Sequence, residues 1–113
     1  MKKTEKRIIR KALQELQTAL ADLYGEESPA MILYGSQARG EATEASDIDL
    51  LLIYPKVISA GSEIRQISPI LANLNLRYQV LISILPVSKS DYLASSGMFW
   101  KNVHREGISV HAV

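Results

Sequence analysis

Asp47 and Asp49 open an apolar run in a 113-residue chain, and ten residues lie between Asp47 and a preceding Gly-Ser pair, Gly35-Ser36. In an extended strand, side chains at i and i+2 leave the same face, so the two carboxylates converge. Converging carboxylates suit Mg2+, which prefers oxygen ligands, keeps several waters and is usually shared with substrate phosphates. Gly35-Ser36 ends another apolar run. A glycine turn whose serine can open a short helix offers a hydroxyl and unpaired backbone N–H groups, the natural partners of a polyphosphate. Together the two arrangements describe a metal-nucleotide site.

Duller roles stand beside these. Gly35 alone is a turn glycine, and Ser36 alone a helix cap. Asp47 can cap the loop before its strand. Arg39 either faces a triphosphate or pairs with Glu41 or Glu44 at the surface. Asp49 resists such a reading, because an unpaired carboxylate inside an apolar strand costs several kcal/mol to bury.

The elements that must position these residues follow from apolar periodicity. Ile9, Leu13, Leu16, Leu20 and Leu23 recur at the spacing of one helix face between Thr4 and Leu23, and Gly25 is placed to end that helix. Ala30 to Tyr34, preceded by Pro29, reads as a buried strand feeding the Gly35-Ser36 turn, with at most one helical turn from Ser36 to Arg39. Asp47 to Tyr54, closed by Pro55, reads as a second strand, buried on both faces and central in a sheet. Ser62 is the expected cap of a helix carrying Ile64, Ile67, Leu71 and Leu74 to about Arg77, with a kink or late start near Ser68 imposed by Pro69. Tyr78 to Val87 reads as a third strand, with Pro86 marking an edge. Ser88 caps a short turn, Met98 to Arg105 forms a last helix stopped by Gly107, and Ile108 to Val110 a small strand. The expected class is α/β (α+β), a small mixed sheet flanked by helices, in a single domain over residues 1–113.

Composition narrows the function. An apolar fraction of 47% is that of an ordinary globular chain. Without cysteine there is no disulfide framework and no thiolate metal site, and an intracellular, cytoplasmic address is the expectation. Lys2 and Lys3 are followed by no apolar signal core, and no apolar run approaches the roughly 18 residues that span a bilayer. A net charge of +1 argues against direct nucleic-acid binding, so the Lys2, Lys3, Lys6, Arg7, Arg10 and Lys11 cluster reads as a solvated helix face. His104 and His111 read as structural or solvent-facing. Phe99 and Trp100 are expected in the core, although exposed aromatics also anchor partners.

The order helix, strand, Gly-Ser turn, Asp-x-Asp strand, helix, strand resembles the nucleotidyltransferase superfamily of the DNA polymerase β type. Its short members, the minimal nucleotidyltransferases (MNT), resemble the whole chain, through Tyr34-Gly35-Ser36-Gln37-Ala38-Arg39-Gly40, Ser46-Asp47-Ile48-Asp49-Leu50-Leu51 and the tail Phe99 to Gly107. The resemblance implies a nucleotidyltransferase fold and Mg2+-dependent chemistry on ATP. It places Gly35, Ser36 and Arg39 on the nucleotide and Asp47 and Asp49 on the metal. It also implies an antitoxin that transfers AMP from ATP to a tyrosine of a HEPN-family ribonuclease toxin.

One departure stands out. Active members of the superfamily usually carry a third Asp or Glu on the strand after the second helix, and this strand has none. Leu81, Ser83 and Leu85 share a face by alternation, so Ser83 is the candidate for that position. Glu63, Glu41 or a carboxylate of the protein substrate are the alternatives. The competing function is a non-catalytic antitoxin that masks the ribonuclease by contact. Transfer to a small molecule fits less well, since no second domain is available to build an acceptor pocket.

Overall fold

The computed structural model describes residues 3–35, 38 and 47–110. Helix α1 (Lys3–Tyr24) presents Ile9, Ala12, Leu13, Leu16 and Leu20 as one buried stripe, while Leu23 at its end is 40% exposed. A 3-10 turn (Gly25–Glu27) leads into strand β1 (Ala30–Tyr34), and β2 (Asp47–Tyr54) pairs with it antiparallel. Helix α2 (Ala60–Tyr78) then crosses over to β3 (Leu81–Ser88), which runs parallel to β2. Two short helices, α3 (Lys89–Ala94) and α4 (Met98–Glu106), precede β4 (Ile108–Ser109), antiparallel to β1. The sheet order β3-β2-β1-β4 puts β1 and β2 in its interior.

Strand alternation divides the sheet into two faces. Ile48, Leu50, Leu52 and Tyr54 of β2, with Met31 and Leu33 of β1, form the main core against α1 and the Ile67, Leu71 and Leu74 stripe of α2. The opposite face carries Asp47, Asp49, Leu51 and Ile53. Its covering is thinner: α4 buries Val103, and Gly107 wedges beside Ile32, where a Cβ would meet Ile32 Cγ2 at 2.7 Å. The edge strand β3 is protected against stray pairing. Ile82 N–H goes to Asn75 Oδ1 at 3.0 Å, and Pro86, on the same parity, has no N–H to offer.

Three local expectations need correction. Ser59 caps α2, not Ser62, whose N–H is instead the donor to Ser59 Oγ at 3.5 Å. Pro69 does not delay the helix: it lies with Ser68 on the exposed side, where water can reach the carbonyl that proline leaves without a donor. The third strand begins at Leu81, because Tyr78 still belongs to α2 and Gln79 takes the left-handed C-cap conformation, φ 52°.

Helix α2 is tied to α1 at that end by Glu15, which accepts from the Arg77 guanidinium and from the Tyr78 hydroxyl. Those two hydrogen bonds hold the Glu15 carboxyl below its ordinary value of 4.5. A depressed carboxyl contributes stability above its unfolded value and loses it as pH falls through the folded one. Glu15→Gln should therefore flatten the acid limb of a melting-temperature profile below about pH 4.5, with a small loss at neutral pH. An unchanged acid limb would discount the link.

Candidate active site

The first residues of β2 and the last residues of β1 meet at one end of the sheet. Antiparallel register sets Tyr34 opposite Asp49, and parallel register sets Leu81 beside Asp47 and Ser83 beside Asp49. Asp47 is exposed and Asp49 half-buried, both on the face away from the main core. Ile48 between them is fully buried, which fixes the register: a slip of one residue would drive both carboxylates into the core. Strand β2 thus places the two carboxylates on one sheet face, two residues apart.

Gly35 meets the same group. It has φ +77°, a conformation that costs other residues strain, and a Cβ built on it would stand 2.8 Å from Asp49 Oδ2. The turn glycine therefore has a reason beyond turning the chain: its missing side chain lets the backbone lie against the carboxylate. If Gly35 borders a nucleotide, as the resemblance implies, Gly35→Ala should lower nucleotide affinity at least 10-fold while costing about 1–2 kcal/mol of stability. Isothermal titration with a non-hydrolysable ATP analogue, beside thermal melting, separates the two effects. Wild-type affinity in a folded Gly35→Ala protein would remove Gly35 from the site.

Tyr34 flanks Asp49 on the β1 side. Burial, and secondarily the Asp49 charge, push its phenol above the ordinary value of 10.0. Its ring meets Phe99 of α4 edge-on, with centroids 5.7 Å apart. On the β3 side Ser83 is exposed and neutral, so it is no core serine, and Leu81 beside Asp47 is 54% exposed.

Other candidates fall elsewhere. Glu63 accepts from the Tyr24 hydroxyl, which lies 3.4 Å from the Tyr54 hydroxyl. Tyr54 is the last residue of β2 and Asp47 the first, roughly 20 Å apart along the strand, so Glu63 cannot complete the carboxylate set. Burial, followed by the hydrogen bond with Tyr24, drives the Tyr54 phenol far above its usual range. His104 is exposed; it contacts Ser95 Oγ at 3.0 Å and the Tyr92 ring, a clasp between α4 and the end of α3. Phe99, expected in the core, is 47% exposed beside the site. Ser36, Arg39, Glu41 and His111 lie outside the described residues. Ala38 is helical, half-buried and packed on the main core.

The donor set is one of hard oxygens: two carboxylates on one face and a neighbouring hydroxyl. Among the described residues no cluster of three or more His, Cys, Asp or Glu forms a closed cage. An open two-carboxylate arrangement fits Mg2+, which completes its shell with water and phosphate.

A family model described as nucleotidyltransferase domain matches residues 7–94, a span that contains both Gly35 and the aspartate pair. The chain belongs to this nucleotidyltransferase family. Two relatives in Methanocaldococcus jannaschii carry the name "putative protein adenylyltransferase". MJ0604 is 32% identical over 100 residues, 86% of this chain and 92% of that protein. MJ0141 is 32% identical over 78 residues, 69% and 78% respectively. A chain in a crystal structure of a toxin-antitoxin with AMP-PNP shares the fold, with TM-score 0.57 and 13% identity over 89% of this chain and 71% of that one. The mixed sheet with its flanking helices is thus the nucleotidyltransferase fold that the motif spacing anticipates. Among the described residues, no helix is long and apolar enough to cross a membrane.

Proposed function

We propose that residues 1–113 form a single nucleotidyltransferase domain acting as the antitoxin of a toxin–antitoxin pair, transferring AMP from ATP to a tyrosine of a HEPN-family ribonuclease. The observation that carries this reading is the convergence of Asp47 and Asp49 on one face, with Gly35 lying against Asp49 Oδ2. The relatives named as protein adenylyltransferases support a protein acceptor, and the fold shared with a toxin-antitoxin chain supports the partner class.

Asp47 and Asp49 would hold Mg2+, which when bound supplies Lewis-acid stabilisation of the phosphoryl oxygens. Gly35 and Ser36 cradle the phosphates, and Arg39 offsets their charge. The acceptor oxygen bonds to the α-phosphorus, the bond from that phosphorus to the β-bridging oxygen breaks, and pyrophosphate leaves. The acceptor's proton passes towards the Asp49 carboxylate. A tyrosine with an unperturbed pKa of about 10 needs such help at neutral pH. Asp47 is exposed and both aspartates lie outside the main core, which favours access by a protein side chain.

The test is intact mass of a HEPN-family partner after incubation with this protein, ATP and Mg2+. The partner should gain the mass of AMP, its ribonuclease activity should fall in step, and chelator should prevent both. Inhibition in chelator without a mass change would establish masking by contact instead. The neutral Ser83 beside Asp49 is the observation that keeps this second reading alive.

A further inference from the structure

We infer that Phe99, seated edge-on against Tyr34, is the stacking platform for the nucleobase of the bound nucleotide. The inference rests on the reading that phosphates lie over the Gly35 turn. Tyr34 immediately precedes that turn and is the cross-strand partner of Asp49, so its side chain stands on the same sheet face, about 5 Å away between Cβ atoms. The Phe99 ring centroid is 5.7 Å from the Tyr34 ring centroid, at an interplanar angle of 86°. A substrate held by its phosphates at Gly35 therefore carries its base within reach of Phe99, tethered through one sugar.

The ring itself is built to receive a planar partner. Phe99 is the chain's sole phenylalanine, yet it is 47% exposed when the main core could have taken it. Trp100 contacts it in T-shaped geometry at 5.1 Å, and Tyr34 supports it from the strand side, so two edge-to-face neighbours fix its orientation. A rigid ring loses little entropy when a base stacks on it. Stacking is tolerant of base identity, which makes this platform a source of affinity and leaves selectivity among bases to other contacts.

The experiment compares MgATP with Mg-tripolyphosphate, which keeps the phosphates and lacks the base, for wild type, Phe99→Ala and Phe99→Leu. Leucine retains bulk and removes the π face, so a folded variant remains available if alanine loosens α4. Both variants should bind ATP roughly 10-fold more weakly, with tripolyphosphate affinity unchanged. Trp100, the single tryptophan, should report ATP by a fluorescence change that tripolyphosphate does not produce. Unchanged ATP affinity, or equal losses for both ligands, overturns the inference. So does normal ATP binding with lost labelling of the protein partner, which would assign Phe99 to the acceptor. Failure of wild type to bind either ligand would instead sink the nucleotidyltransferase reading on which this one stands.

Discussion

Asp47→Asn with Asp49→Asn should reduce AMP transfer by roughly three orders of magnitude or more while leaving the fold intact. Asparagine keeps the size of each side chain and removes the charge that holds Mg2+. The fold should survive because neither carboxylate supports the core: Asp47 is exposed, Asp49 half-buried, and Ile48 between them supplies the burial. Relief of like-charge repulsion should hold the metal-free melting temperature level or raise it slightly. A second readout needs no turnover. The Asp49 charge is the lesser of the two causes that raise the Tyr34 phenol, so Tyr34 should titrate somewhat closer to 10.0 in the variant, while burial keeps it above that value. Incorporation of labelled AMP at the wild-type rate by the folded double mutant would place the chemistry elsewhere.

Much of this geometry was legible in the residues themselves. The bounds of β1 and β2 could be read because Pro29, Gly35 and Pro55 punctuate two apolar runs, and proline and glycine act locally. Alternation placed Asp47 and Asp49 on one face and Ser83 on the face of Leu81 and Leu85. What alternation could not supply is which strands adjoin, and hence that Asp49 stands between Tyr34 and Ser83. The start of β3 is hidden from the sequence for a similar reason. Tyr78-Gln79-Val80 has strand-like chemistry, but Glu15 from α1 holds Tyr78 in the helix, and a glutamine takes the left-handed position where glycine would have been the signal. Ser59 and Ser62 were equally good caps by type, and the helix took the earlier one. The scarcity of aromatics favours Phe99 in the core over an exposed anchor, yet apolar side chains also occupy surfaces with a use for them, and Phe99 is exposed.

Ser83→Asp tests whether the neighbour of Asp49 on β3 is part of the site. An added carboxylate there faces two others, so without metal the repulsion should cost about 1 kcal/mol and lower the melting temperature by roughly 5 °C. With metal it becomes an extra ligand, and binding to the native state alone returns stability as the metal concentration exceeds Kd. The signature is therefore a lower melting temperature in chelator with a larger gain on adding Mg2+ than the wild type shows, together with faster AMP transfer. Aspartate is also a poor strand residue, and Ser83→Asn carries much of that penalty without the charge. The asparagine variant should lose stability equally in chelator and in Mg2+, which isolates the charge as the cause. Because Ser83 is exposed, burial of the new carboxylate does not confuse the outcome. If Ser83→Asp and Ser83→Asn melt alike in both buffers, Ser83 lies outside the reach of the metal, and the carboxylate missing from this strand must come from Glu41, from the partner or not at all.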